Sequence, residues 1–284
     1  MLFLKDTVWV CGALGKIGSH LVAALDTTRY NVLATDDELD ICDLDAVERF
    51  MAANRPAIVI NCVGLNAESC EKNPIEAYRV NALGARNLAI ASADIHARIV
   101  HLSSDDVFDD GTDERVNEFD IPRPLTVYGK SKLAGEQMVR EFNREHIIIR
   151  SSWVYGASSQ GLLAHMAKVS AGSAKLAIPQ DQYAAPTSID TYTTFILDVI
   201  ESAEKGIFHV SCDGFCSRYE FAQKAAELLG LRSDCIEPIC ESDHAYTIHL
   251  ENLMLKMMSD YAMPTWEQDL AAFVAKHQDE ICNQ

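Results

Sequence analysis

The chain opens with a strand-like run that leads directly into a glycine-rich segment, and this junction constrains the fold more than any other feature. The run from Thr7 to Cys11 is β-branched and aromatic, the segment at 12–18 reads GALGKIG, and an apolar helical pattern follows through Leu25. Strand, tight turn and helix form a dinucleotide-binding unit, because glycines let the backbone approach a pyrophosphate at the helix N-terminus. The glycine spacing of three and three differs from the commonest G-x-G-x-x-G fingerprint, and a tight turn without a ligand is the alternative. The residues of this segment that we predict to bind the cofactor are Gly12, Leu14, Gly15, Lys16, Ile17 and Gly18.

Strand and helix patterns alternate from residue 7 to residue 152. The stretch AIVINCVG at 57–64 is almost continuously apolar, as expected for a central parallel strand that is covered on both faces. Asp43 is predicted to cap a helix through Ala53, and further helices are predicted over 74–92 and from Tyr128. The alternation predicts an α/β fold with a doubly wound parallel sheet of the Rossmann type.

The regular alternation ends after Ser152. Helical patterns cover 160–170, 189–203 and 266–277, and the S-x-x-E pattern that begins at Ser217 predicts a capping box. We predict a dinucleotide-binding domain over 1–155 and a smaller C-terminal substrate-binding lobe over 156–284, parts of which return to the first domain.

An acidic residue at the end of the second predicted strand bears on cofactor choice. Asp36 follows the strand 31–35, about twenty residues after the glycines, where a carboxylate bonds the adenosine ribose and repels a 2′-phosphate. The cofactor is therefore NAD(H) or NADP(H), with NAD(H) favoured. We predict a short third strand over 39–41 whose end flanks the adenine. The further residues predicted to bind the cofactor are Asp40, Ile41, Cys62, Val63, Gly64, Tyr128 and Lys132.

A tyrosine and a lysine four residues apart open the helix that follows the strand 98–104. Tyr128 and Lys132 share a helix face, and an ammonium near a phenol lowers its pKa, which makes the phenol a usable proton donor. Ser104, at the end of the strand, can hold a carbonyl oxygen beside that tyrosine. An exposed tyrosine and a solvated lysine at an ordinary helix start are the alternative for an isolated Y-x-x-x-K.

The composition excludes several classes of partner. Among 284 residues the formal net charge is −18, which repels phosphates and argues against nucleic-acid or anionic-membrane binding. The nine cysteines have no zinc-ligand spacing, so we predict reduced thiols, no metal and a cytoplasmic protein. A homodimer is the candidate assembly.

In combination, these motifs resemble the dTDP-4-dehydrorhamnose reductase family of extended short-chain dehydrogenase/reductases. The resemblance runs through GALGKIG at 12–18, NPIEAYRVNALGARNLA at 73–89, HLSSDDVFDD at 101–110, PLTVYGKSKLAGE at 124–136, IIIRSSWVYG at 147–156, DQYAAPTS at 181–188 and GIFHVSCDG at 206–214. It implies that Tyr128 is the catalytic acid/base, that Lys132 binds the nicotinamide ribose, and that Ser104 holds the keto oxygen. Asp105 and Trp153 are the further predicted substrate contacts, with core packing as the alternative for Trp153. The implied reaction is the NAD(P)H-dependent reduction of a keto group on a nucleotide-linked deoxy-sugar.

The sequence departs from the family pattern on the substrate side. Asp106 replaces a tyrosine, the segment 65–70 lacks a lysine, and the segment 244–250 lacks an Arg-Pro pair. A diphosphate would then need other cations, for which the sequence offers Arg150, Lys168, Lys175 and His244.

This divergence leaves two other functions open. The resemblance extends to the non-catalytic regulatory subunit of methionine adenosyltransferase, which keeps the fold and binds dinucleotide. The third hypothesis is an epimerase or dehydratase of the same superfamily, although the pair Asp105-Asp106 lacks the glutamate that dehydratases use.

Overall fold

The computed structural model contains the predicted alternation of strands and helices. It describes residues 5–108, 111–240, 246–258 and 261–283, without the side chains of 111–114. The strands are β1 (Asp6–Cys11), β2 (Tyr30–Thr35), β3 (Ile58–Asn61), β4 (Arg98–Ser104), β5 (Gly111–Val116), β6 (His146–Ser151), β7 (Val154–Tyr155), β8 (Leu176–Pro179), β9 (Gln182–Ala184), β10 (Thr187–Ser188), β11 (Gly206–His209), β12 (Cys216–Ser217), β13 (Ile236–Ile239) and β14 (Tyr246–Leu250).

The helices include one π-helical segment. They are α1 (Lys16–Ala24), α2 (Leu44–Asn54), α3 (Ala67–Lys72), α4 (Pro74–Tyr78), the π segment (Arg79–Gly84), α5 (Ala85–Asp94), α6 (Val127–Phe142), α7 (Leu162–Ala171), α8 (Ile189–Glu201), α9 (Arg218–Leu229), α10 (Leu253–Met257) and α11 (Trp266–Cys282), with 3₁₀ turns at Asp105–Val107 and Ser233–Cys235. Among the described residues, we find no helix long and apolar enough to cross a membrane.

Six strands form the larger sheet, in the order β11-β6-β4-β3-β1-β2. Strand β1 pairs in parallel with both β2 and β3, and β3 pairs in parallel with β4. The chain therefore moves outward in one direction from β1 to β2 and in the other from β3 to β4. In such sheets ligands bind at the carboxyl ends of the strands where the order reverses, here β1 and β3. The doubly wound α/β fold is confirmed.

The core of the larger sheet explains why its central strands read as continuous apolar runs. The side chains of Val8, Trp9 and Val10 are fully buried, because helices cover both faces. The Trp9 ring lies 4.5 Å from that of Phe50, and its Nε1 donates to Thr35 Oγ1 at 2.9 Å. This packing fixes the end of β1, where the glycine segment begins.

The chain forms two units that interleave along the sequence. The first contains the described residues before 109 together with Ile121–Arg150 and Phe195–Phe208. The second contains 111–120, Ser151–Thr194 and the described residues from His209 onward, with a four-stranded sheet in the order β12-β9-β14-β5. Residues 111–120, before the predicted boundary at 155, group with the second unit, and Phe195–Phe208, after it, group with the first.

Three local predictions differ from the structure. Residues 39–41 form turns instead of the predicted strand, because the Asp40 side chain accepts the backbone N–H of Cys42 at 2.9 Å and the Asp40 carbonyl accepts that of Asp43. The helix predicted over 74–92 contains the π segment. The sequence analysis predicted no strands at β5, β9 and β10, whose pairing partners are distant in sequence. The capping box at Ser217 and Glu220 is confirmed.

Candidate active site

The glycine segment forms a tight turn between β1 and α1. The N–H groups of Gly12 and Ala13 both donate to the Thr35 carbonyl at 2.9 Å, which ties the turn to the end of β2. Gly12 has φ = +75°, and a Cβ there would lie 2.9 Å from the backbone nitrogen of Val63. A Cβ on Gly18 would overlap the Gly12 carbonyl oxygen. Only glycine satisfies these contacts, which bring the start of α1 against the ends of β1 and β3.

A cleft of about 500 Å³ opens at these strand ends, in the first unit. Its lining residues are Gly12, Gly15, Asp36, Asp37, Leu39, Asp40, Ile41, Cys42, Cys62, Val63, Gly64, Leu65, Arg79 and Val80. Eight of the residues predicted to bind the cofactor are in this set: Gly12, Gly15, Asp36, Asp40, Ile41, Cys62, Val63 and Gly64. Leu14, Lys16, Ile17 and Gly18 lie in the turn and the first turn of α1 and do not line the cleft.

Carboxylates dominate one end of the cleft. Asp36 Oδ2 accepts the Leu14 N–H at 2.7 Å, which holds the carboxylate beside the glycine turn. Asp40 Oδ2 accepts Arg79 Nη1 at 3.1 Å, and Arg79 also donates to both oxygens of Glu76, at 2.8 and 2.9 Å. Arg79, the one cation among the described residues that line the cleft, thus already has two carboxylate partners. This end of the cleft is electronegative and disfavours a phosphate group.

Lys132 lies beside the opposite end of the cleft. It is buried on α6, and its Nζ donates to the Leu102 carbonyl oxygen at 2.5 Å. A Cβ on the lining residue Gly64 would lie 3.7 Å from this Nζ. Burial lowers the pKa of Lys132 to about 8. The ammonium is therefore within reach of a ligand in the cleft and titrates near physiological pH.

Tyr128 lies one helical turn before Lys132, next to the acidic end of β4. The hydroxyl of Ser104 lies 3.0 Å from Asp105 Oδ1 and 2.8 Å from Asp106 Oδ2. Burial and then the Asp106 carboxylate raise the pKa of the Tyr128 phenol, and a hydrogen bond with Ser104 lowers it in part. The sequence predicted a lowered pKa through Lys132. The direction is the opposite here because burial of the phenol and the nearby Asp106 carboxylate both raise its pKa.

Asn81 is a polar residue of this region that the sequence reasoning did not single out. It lies buried in the π segment, and its Oδ1 accepts the Leu65 N–H at 3.0 Å. Its Nδ2 donates to Ser131 Oγ at 2.9 Å, and that hydroxyl donates to the Tyr128 carbonyl at 2.8 Å. Asn81 thus links the lining of the cleft to the first turn of α6. Its only sequence signal is its place in the segment 73–89, because helical periodicity does not reveal a π segment.

Trp153, the predicted substrate contact of the second unit, is half-buried. The Arg218 guanidinium carbon lies 4.0 Å from the centroid of its ring, and the Tyr246 ring is stacked at 6.5 Å. A planar cation and one further aromatic ring therefore lie against the Trp153 ring.

A cleft at a glycine turn with the Lys132 ammonium beside its Gly64, and with Tyr128 one helical turn before that lysine, is the arrangement of a short-chain dehydrogenase/reductase. Comparison with known proteins identifies the family. The family described as the RmlD substrate binding domain matches residues 6–279. The spore coat polysaccharide biosynthesis protein SpsK of Bacillus subtilis is 35% identical over 228 residues, which are 80% of each chain. The dTDP-4-dehydrorhamnose reductase of Mycolicibacterium smegmatis is 33% identical, over 84% of this chain and 74% of its own.

Comparison with a solved structure identifies the same family. The dTDP-4-dehydrorhamnose reductase of Bacillus anthracis, in complex with NADP, superimposes with a TM-score of 0.92 and 31% identity, over 97% of this chain and 100% of its own. The chain belongs to the dTDP-4-dehydrorhamnose reductase family, as its motifs predicted. It is accordingly an oxidoreductase.

Proposed function

We propose that the protein reduces a keto group on a nucleotide-linked deoxy-sugar, with a nicotinamide dinucleotide as the hydride donor. The observation that supports this proposal is the Lys132 ammonium beside Gly64 of a cleft that begins at a glycine turn, with Tyr128 one helical turn earlier on α6 and hydrogen-bonded to Ser104. The relatives named for reduction of dTDP-linked keto-sugars support the substrate class.

In the proposed mechanism Tyr128 is the proton donor. A nicotinamide dinucleotide held by the glycine turn and Lys132 would supply a hydride to the keto carbon, which leaves negative charge on the keto oxygen. Ser104 donates a hydrogen bond to that oxygen, and the Tyr128 phenol transfers its proton to it. The raised pKa of Tyr128 keeps the phenol protonated at neutral pH but makes it a weaker acid than a free phenol, so it donates only to a strongly basic oxygen such as the developing alkoxide.

Lys132 binds the nicotinamide ribose in this proposal, and its pKa of about 8 makes binding depend on pH. The ammonium is present below that pH and is lost as the pH rises through it. We expect the affinity for NADH, measured by fluorescence titration between pH 6 and 9.5, to fall with an apparent pKa of about 8. Lys132→Met should bind NADH weakly throughout, without this inflection. An affinity of the wild-type protein that stays constant across the range would contradict the role of Lys132.

We also propose NAD(H) as the preferred cofactor. Asp36, held beside the glycine turn by Leu14, offers its carboxylate to ribose hydroxyls and repels a 2′-phosphate. Asp36→Ala is expected to shift the ratio of NADH to NADPH affinities toward NADPH by on the order of tenfold, about 1.4 kcal/mol. Glu48→Ala, which removes an exposed carboxylate of α2, should leave the ratio unchanged. If both variants keep the wild-type ratio, Asp36 does not set the preference.

The direct test of the function is the loss of NADH absorbance on mixing the purified protein with dTDP-4-keto-6-deoxyhexoses. Stoichiometric oxidation without another protein is expected, and it would reject both the non-catalytic regulatory subunit and redox-neutral epimerisation. Absence of oxidation across related keto-sugars would defeat the substrate assignment.

A further inference from the structure

The cations that the sequence offered for a substrate diphosphate are not among the lining residues of the cleft in the first unit. They are Arg150, Lys168, Lys175 and His244. Arg150 and Lys175 form ion pairs, Lys168 is exposed on α7, and His244 lies outside the described residues. Arg79 differs from them, because it is the one cation among the described residues that line the cleft. The proposed mechanism gives this arginine no role.

The Arg79 guanidinium is held along its edges by carboxylates from two elements. Its Nε and Nη2 donate to the two oxygens of Glu76, at 2.8 and 2.9 Å, and its Nη1 donates to Asp40 Oδ2 at 3.1 Å. The N–H groups of a guanidinium lie in the plane of the group, so these bonds fix the orientation of that plane. The Arg79 side chain is nevertheless 42% exposed. We infer that the surface it presents to the cleft is a face of the guanidinium.

The backbone around Arg79 is tied to the turns at 39–42. Cys42 Sγ donates to the Arg79 carbonyl at 3.2 Å, and Asn87 Nδ2 donates to the Ile41 carbonyl at 3.0 Å. These bonds join the turns to the π segment and to α5, and both sides of the joint line the cleft. This wall is therefore built before a ligand binds, and little ordering entropy is lost on binding.

This end of the cleft suits an uncharged planar ring. Leu39, Ile41 and Val80 supply apolar lining, while the neighbouring carboxylates disfavour a phosphate group. A dinucleotide whose adenosine ribose bonds Asp36, at the end of β2, places its adenine at this end. A guanidinium face attracts the π system of an aromatic ring and stacks on nucleic-acid bases.

We propose that the guanidinium of Arg79 stacks on the adenine of the nicotinamide dinucleotide, and that Asp40 and Glu76 orient it for this contact. The inference rests on the cofactor part of the proposed function. It assigns Arg79 to the base and not to a 2′-phosphate, because carboxylates already accept from Nε, Nη1 and Nη2 in the plane of the group.

The test is cofactor binding without turnover. Isothermal titration with NADH and NADPH would be carried out on wild-type protein, Arg79→Met and Arg79→Lys. Arg79→Met should bind both dinucleotides about three- to tenfold more weakly, by the same factor, because both carry adenine. Arg79→Lys should recover only part of the loss, because an ammonium keeps the charge but has no planar face. Reduced nicotinamide cytosine dinucleotide, whose base is smaller, should lose less affinity than NADH in Arg79→Met.

Glu76→Gln tests the orientation of the guanidinium. The amide of glutamine places a donor against the N–H groups of Arg79, so the bidentate contact is lost and NADH affinity should fall in part. In the Arg79→Met background the same substitution should have no further effect on NADH affinity, since no guanidinium remains to be oriented. An equal loss in both backgrounds would show that Glu76 does not act through Arg79.

The matched control is Arg49→Met, which removes an exposed arginine of α2 that is not a lining residue of the cleft. It should bind NADH as the wild type does. Wild-type NADH affinity in Arg79→Met, or full recovery in Arg79→Lys, would overturn the proposal. A loss that is greater for NADPH than for NADH would assign Arg79 to the 2′-phosphate and would also overturn it, as would an equal loss for the cytosine dinucleotide. A protein that binds NADH through Arg79 but reduces no keto-sugar would refute the proposed function and still support the role of Arg79.

Discussion

Tyr128→Phe is expected to lower kcat for keto-sugar reduction by about 10²- to 10⁴-fold, the usual contribution of a positioned general acid. The substitution removes only the phenolic hydroxyl, so the ring and the first turn of α6 keep their packing. NADH affinity should stay within about twofold of wild type. A twofold change in Kd corresponds to less free energy than the roughly 1 kcal/mol of a typical hydrogen bond. Stopped-flow oxidation of NADH and fluorescence titration measure the two quantities separately.

Ser104→Ala is the informative companion of this variant. It removes the hydroxyl that hydrogen-bonds Tyr128 and lies near Asp105 and Asp106, and it leaves the phenol in place. Its activity should fall less than that of Tyr128→Phe, because a proton donor remains. Wild-type turnover by Tyr128→Phe would show that another group donates the proton.

Glu136→Leu is expected to reduce the free energy of unfolding by about 3–5 kcal/mol, as is usual when one partner of a buried ion pair is removed. Arg150 donates to Glu136 from Nε at 2.9 Å and from Nη2 at 2.7 Å, and both side chains are at most 2% exposed. Ser103 Oγ donates to the same carboxylate at 2.6 Å. The substitution therefore deprives a buried guanidinium and a hydroxyl of their acceptor. Urea denaturation, followed by circular dichroism, measures the loss.

The double variant Glu136→Leu/Arg150→Met tests the reason for that loss. Replacing both charges by apolar side chains removes the uncompensated guanidinium, so much of the lost stability should return. A double variant less stable than Glu136→Leu would show that Arg150 stabilises the fold mainly through other contacts, such as that with the Phe108 ring at 5.1 Å.

Eight residues that the sequence predicted to bind the cofactor line one cleft, because the signals that select them are local. A strand, a glycine turn and a helix are consecutive, and glycine is required where φ is +75° at Gly12. The Asp40 region shows the limit of this reasoning. Three alternating residues read as a strand, whereas hydrogen bonds of the Asp40 side chain and backbone close turns there. Asp40 and Ile41, which the sequence predicted to bind the cofactor, nevertheless line the cleft.

By itself the sequence determined the α/β class, the family, the glycine turn and the spacing that puts Tyr128 and Lys132 on one helix face. These follow from short-range periodicity and from residues with special backbone freedom, which need no knowledge of distant neighbours. Only the tertiary structure decided the direction of the Tyr128 pKa shift, the bonds of Asn81 and the stacking of Arg218 on Trp153. Each depends on burial or on a partner far away in sequence, and periodicity carries no information about either. The local chemistry of the site can therefore be predicted from the sequence, whereas its electrostatic environment depends on the fold.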